Sequence, residues 1–211
     1  MDPDGTKGAG NPNGHIIRFR EADQKATAKV FAWDIFLFGA EEDSGDANLS
    51  GLSSRNAFSS PDGLWFSKAT GICWIQTDDG AFTDETNCMM LAAIPGQVGD
   101  GGKVTVKNKM VVNGVEQTGT QETFLGAALG DAKLRRFLVA PLGAEVTGIT
   151  ETADGRTLFV NIQHPGELSK PLAASAPPQS AWPGNQGYGN PGRPRSATIV
   201  ITRKDGGVIG L

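Results

Sequence analysis

The chain has 211 residues, 38% hydrophobic and 20% charged, a globular composition with length enough to bury a core. A formal net charge of −4 offers no basic surface for nucleic acid, and no stretch is apolar enough to cross a bilayer as a helix. The 29 Gly and 12 Pro, against a single Tyr and few helical periodicities, point to a turn-rich all-β chain.

The opening residues MDPDGTKGAGNPNG are polar and turn-forming, with neither a basic nor an apolar targeting region, so an export signal would lie outside this chain. HIIRFRE (His15 to Glu21) and KVFAWDIFLFG (Lys29 to Gly39) alternate with period two across a short polar connection and predict a hairpin. Glu41 to Asn56 is an acidic, Ser/Gly-rich loop. Strands follow at Gly63 to Ser67, Ile72 to Thr77 and Met89 to Ile94. A Gly-rich polar stretch over 95–131 reads as an insertion with its own hairpin, Lys103 to Gly114, turning at Asn113-Gly114. Further strands are expected at Leu134 to Val139, Val146 to Glu151 and Thr157 to Ile162. The last, Ala197 to Arg203, comes after a long Pro/Gly/Ser loop.

Two of these stretches repeat. SSPDGLWF with GICWIQTDDG has a counterpart in GAEVTGIT with DGRTLFVNIQHPG, and each copy sets a carboxylate, Asp62 or Glu145, just ahead of a short apolar strand. The two acids are about 83 positions apart; without the insertion of about 37 residues the period is about 46, the length of a four-stranded propeller blade. The expected fold is therefore a partial β-propeller of about two and a half four-stranded antiparallel blades. It is read as one domain over 1–211: an outer hairpin at 14–39, a blade at 57–140 interrupted by the insertion, and a blade at 143–205. Such a fragment leaves blade faces and edges open, so self-association or further blades upstream are the expected partners.

In a propeller the loop leading into each innermost strand and the loop after the second strand open on one face. The first kind carries Asp62 and Glu145; the second carries Gln76, Thr77 and Asp78 in one copy and Asn161, Gln163 and His164 in the other. Carboxylates and amides converging on one axis suit a hard cation. Each residue also has a plainer reading. Pro-Asp-Gly around Asp62 is a common turn, Asp78 heads a solvated turn, and Asp154 belongs to the turn ADGR. His15 reads as a packed strand residue, whereas His164 either acts on substrate or structures its loop. Arg193 and Arg195 either solvate the start of the last strand or offer guanidinium forks to an anion. Cys73 reads as a buried packing thiol and Cys88 as a loop residue. No HExxH, CxxC or Walker pattern is present, and no serine has a nucleophile's surroundings.

The ordered motifs GHIIRFRE, WDIFLFG, SSPDGLWF, WIQTDDG, RRFLVAP, GAEVTGIT, DGRTLFVNIQHPGE and RPRSATIVITRKDGGVIG resemble the C-terminal part of the PhoX-like secreted alkaline phosphatases. The resemblance implies a six-bladed propeller that hydrolyses phosphate monoesters with calcium and ferric ions in its central channel, in a periplasmic or extracellular setting reached by the twin-arginine route. It implies Asp62 and Glu145 as metal ligands, with Ala144 standing where the family has a cysteine. Gln163, His164 and Arg195 are the substrate-binding candidates, and no catalytic residue is singled out. The family's upstream glutamates, cysteine ligand and Arg-Pro-Glu motif belong to blades outside this chain. The alternatives are a non-catalytic cation-binding or assembly fragment and a calcium-dependent lactonase-type propeller hydrolase.

Overall fold

The computed structural model describes residues 8, 9, 11, 13–80, 82, 84–169, 177–187 and 192–211. Most of the turn-forming N-terminal stretch and parts of the Pro/Gly/Ser loop lie outside them. Twelve strands are described: β1 (Gly8–Ala9), β2 (His15–Glu21), β3 (Phe31–Phe38), β4 (Pro61–Phe66), β5 (Cys73–Thr77), β6 (Met89–Ala93), β7 (Gly102–Val112), β8 (Val115–Leu125), β9 (Leu134–Val139), β10 (Glu145–Glu151), β11 (Thr157–Gln163) and β12 (Ala197–Thr202). The chain is all-β, and among the described residues the pairs β1–β7, β2–β3, β5–β6, β7–β8, β10–β11 and β11–β12 are antiparallel, with one parallel contact between β3 and β8 at Ile35 and Leu125. They fall into two compact units, Met1–Pro61 with Pro95–Leu134 and Asp62–Ile94 with Arg135–Leu211.

The first unit is one five-stranded sheet in the order β1-β7-β8-β3-β2. Its β2–β3 hairpin pairs from His15↔Phe38 to Glu21↔Phe31, with a register shift between Ile16 and Ile17. The insertion forms a longer hairpin than its sequence suggests, β7 against β8, because Val/Thr alternation continues well past the turn. Asn113 and Gly114 take φ of 52° and 78°, the left-handed pair that a two-residue hairpin turn demands. Ile35, Phe38 and Leu125 are buried at the junction, with Leu49, Val104 and Val106 packed on them. Asp34 is fully buried, yet its charge is answered by a two-pronged contact from Arg18 (2.7 and 2.9 Å) and by the Gly99 N–H at 2.8 Å. A buried carboxylate is tolerated only with such pairing. His15 differs from expectation: it is exposed, its ring 5.7 Å from that of Phe38.

The second unit contains a four-stranded sheet, β4-β5-β6-β9, and a three-stranded sheet, β10-β11-β12. Every residue of β5 is buried, whereas β11 alternates, sending Leu158, Val160 and Ile162 inward. Both sheets feed one core: Ile72, Trp74, Cys88 and Met90 meet Val146, Leu158, Val160 and Ile162, and Ile209 closes it. Each such side chain, fully withdrawn from water, contributes about 1.5–3 kcal/mol before entropy is counted. Trp182 packs on this core, as an aromatic in a Pro/Gly loop should. Cys88, expected in a loop, is 6% exposed: it immediately precedes β6, and its sulfur accepts the Asp79 N–H at 3.2 Å. Both cysteines are free, and burial pushes the Cys73 thiol up to about 12.

Candidate functional site

The repeat places its polar residues at matching points of the second unit. Asp62 is the second residue of β4, exposed, and Glu145 the first of β10, nearly buried. Asp78 follows β5, and His164 follows β11. In the β10–β11 pair Glu145 stands directly opposite Gln163, whose side chain is exposed. The repeat thus carries an acid at the start of one strand and a polar group at the end of its neighbour.

The Gln76 amide has a different job. It is 2% exposed, and its Nε2 donates to the Thr147 carbonyl beside the register shift between Thr147 and Ile149. A Cβ on Gly63 would sit 2.6 Å from Gln76 Oε1, which explains why the turn triplet ends in glycine there. Gln76 is a structural strut between the sheets of this unit. Thr77 is likewise committed, its hydroxyl accepting the Met89 N–H at 2.8 Å.

His164 is the most constrained of the candidates. Its backbone takes φ of 36°, uncommon for a side-chain-bearing residue, and its N–H donates to the Ser196 hydroxyl at 3.0 Å. The imidazole lies between two acids: Nε2 is 3.4 Å from Glu145 Oε2, and Nδ1 is 3.6 Å from Glu167 Oε2 and 3.4 Å from the Gly143 carbonyl. Burial works to lower its pKa, but the Gly143 carbonyl and the Glu167 and Glu145 carboxylates outweigh it, leaving the ring above its ordinary value. Glu145 also titrates high. Burial is the main cause, followed by the negative charges of Asp78 and Asp62, with His164 acting in opposition.

Arg195 is exposed and lies one residue before the Ser196 that anchors the His164 backbone; its own N–H donates to the Trp182 carbonyl at 3.1 Å. Arg193 is exposed as well. Asp154 serves its turn, accepting from the Thr152 hydroxyl and the Arg156 N–H. Glu167 is the residue that motif reading leaves out of the site, legible only as an acid three positions after His164. Asp78 is among the strand-end candidates that the repeat offers, its alternative being a solvated DDG turn.

Asp62, Asp78 and Glu145 are hard oxygen donors, and the negative charges of Asp78 and Asp62 bear on Glu145, a condition that a cation would relieve. Among the described residues no group of three or more His, Cys, Asp or Glu side chains is arranged to hold a metal ion unaided.

Residues 3–166 match the family described as alkaline phosphatase PhoX. Among solved structures, Pseudomonas fluorescens PhoX in complex with vanadate, a transition state analogue, is 33% identical, with a TM-score of 0.62. That match covers 94% of this chain and 28% of the PhoX chain, so the chain spans well under a third of the protein it resembles. No curated protein matches.

Proposed function

The chain belongs to the PhoX alkaline phosphatase family, and from that premise we propose that it carries part of a metal-dependent site that hydrolyses phosphate monoesters. The observation that carries this reading is the acid set of the second unit. Glu145, hidden from water, is held high by Asp78 and Asp62 beside a histidine whose ring is fixed from both sides. Like charges are kept together at such cost where a cation or an anionic substrate is to be handled.

In this reading Asp62, Glu145 and Asp78 would hold calcium or ferric iron. When bound, the metal would offset negative charge on the phosphate oxygens. His164, kept toward its protonated form, donates a hydrogen bond to a phosphate oxygen; Gln163, exposed beside it, orients the ester. Arg195, tied to the same corner through Ser196, offers a guanidinium to the phosphate. The four-stranded and three-stranded sheets are read as propeller blades and the β2–β3 hairpin as part of another, with secretion expected as in the family.

The 28% span supports a second form of the same idea, a cation-binding portion that turns over substrate only when the remaining blades are supplied. Calcium titration by calorimetry tests both. Heat that falls on Asp62→Asn and on Glu145→Gln is the expected result, and hydrolysis of p-nitrophenyl phosphate separates the complete site from the partial one. Heat unaffected by either substitution, or activity on a lactone but not on a phosphate ester, would overturn the proposal.

A further inference from the structure

The two copies of the repeat share a contact that their sequences do not show. In each, three strands lie side by side in chain order, β4-β5-β6 in one and β10-β11-β12 in the other, and a polar loop leaves the second strand. The residue immediately before the third strand reaches back to that loop. Cys88 precedes β6, and its sulfur accepts the Asp79 N–H at 3.2 Å; Ser196 precedes β12, and its hydroxyl accepts the His164 N–H at 3.0 Å. Asp79 is the second residue past β5 and His164 the first past β11, so the copies differ here by one position. The two hooking side chains differ only in sulfur for oxygen, and either atom can accept a backbone N–H.

Each hook is itself anchored. The Cys88 carbonyl accepts the Ala140 N–H at 2.9 Å, and the N–H of Arg195, next to Ser196, donates to the Trp182 carbonyl at 3.1 Å. Each loop also needs holding. In the first copy both neighbours of Asp78 are tied down: the Thr77 hydroxyl accepts the Met89 N–H at 2.8 Å, the Asp79 N–H goes to Cys88, and the Asp79 carboxylate accepts the Phe82 N–H at 3.2 Å. Asp78 is the exposed acid of the pair. In the second copy the loop passes through φ of 36° at His164, which a side-chain-bearing residue keeps only when its surroundings hold it. Burial pushes the Cys88 thiol up, with the Asp79 N–H opposing and the Asp79 and Asp78 charges assisting, so it stays a neutral thiol and serves as the serine hydroxyl does.

We propose that Cys88 and Ser196 are equivalent positioning residues, each hooking the loop that presents a site group, Asp78 in one copy and His164 in the other. The site roles of Asp78 and His164 rest on the phosphatase function proposed above. Amide hydrogen exchange of the full chain reads the hooks directly. Cys88→Ala should speed exchange at Asp79, and Ser196→Ala at His164, by about three- to tenfold, whereas Cys88→Ser and Ser196→Cys should keep both amides near the parent rate. Ser196 is exposed, so its variants remain folded and carry the test even where a substitution at buried Cys88 loosens the core. Calorimetric titration then reads what the hooks position. Cys88→Ala should weaken calcium binding about threefold or more, and should add nothing to Asp78→Asn. Ser196→Ala should do the same to inorganic phosphate binding with calcium present, and should add nothing to His164→Gln. Exchange unchanged in either alanine variant, or a folded serine–cysteine swap that exchanges as the alanine variant does, overturns the hooks whatever the chain binds. Affinities unmoved by the alanine variants, in a chain that binds both probes, overturn the positioning role. The expected exchange pattern in a chain that binds neither probe upholds the hooks and overturns the phosphatase function instead.

Discussion

The two sheets of the second unit begin from the same sequence motif and end in different states. The β4-β5-β6-β9 sheet has four described strands; β5 is wholly buried, and its strand-end amide, Gln76, is spent on a backbone carbonyl. The β10-β11-β12 sheet has three described strands; its corresponding strand end exposes Gln163 and then sets His164 between Glu145 and Glu167. A repeat therefore preserves the scaffold and the position of its polar groups without preserving what those groups do. One copy uses its strand end for packing, and the other leaves it exposed beside a histidine held between two acids.

Core truncation probes that contrast most harshly. Trp74 is 1% exposed, sits edge-on to Phe137 at 4.8 Å and anchors the shared core from the four-stranded sheet. Trp74→Ala should cost about 3–5 kcal/mol in denaturant unfolding. Phe159 lies on the three-stranded sheet and is 36% exposed, so Phe159→Ala should cost less. Equal losses would mean that the two sheets are buried alike.

Gln76 and Gln163 provide the finer version. Gln76→Leu leaves the Thr147 carbonyl without its donor in a buried setting, a loss of about 1–3 kcal/mol. Gln163→Leu should stay within about 0.5 kcal/mol of the parent, as exposed substitutions do. If the two substitutions proved interchangeable in unfolding measurements, the division into a structural copy and a chemical copy would be lost.

How much of this is legible in the sequence follows from how far apart the partners lie. Strand positions and the Asn113-Gly114 turn depend on neighbours within a few residues, and period-two patterning reveals them. Asp62 and Glu145 stand out because each precedes an apolar strand in a doubled motif. The commitment of Gln76 is invisible, since Thr147 is 71 positions away and the bond depends on how two sheets pack. Burial of Cys88 is hidden for the same reason, its flanking residues being polar while Trp74, Met90 and Val160 share its core. Asp78 is obscured by a turn signal that any solvated loop would give.

Glu145 makes the chemical copy sensitive to pH. Burial and the charges of Asp78 and Asp62 raise its folded-state pKa. A carboxyl raised on folding contributes stability that is fully present below its unfolded pKa, about 4.3, and lost as pH rises through the folded value. Glu145→Gln removes this loss, so the variant should gain on the parent as pH moves from acid to neutral. Added calcium should reverse the order by stabilising only the parent; at about 100 times its dissociation constant a ligand contributes about 2.7 kcal/mol. Parallel pH curves for parent and variant in thermal unfolding would deny Glu145 its strain.

The smallest expected effect is the most specific to the contrast. The His164 ring is held above its ordinary pKa although burial alone would depress it, so its stabilisation should be fully present below the unfolded value of about 6.5 and fade as pH rises through the folded one. Proton NMR titration of His164 should move toward lower pH in both Glu145→Gln and Glu167→Gln, since each variant removes an acid within 3.6 Å. Glu167, 60% exposed, is open to solvent screening, and added salt should erode its share; the Glu145 side chain is only 11% exposed, and its share should persist. His15 supplies the internal control, because it is in the other unit and contacts a phenyl ring. A shift at His164 that neither substitution moves, or that His15 follows equally, would leave the three-stranded sheet as inert as its four-stranded twin.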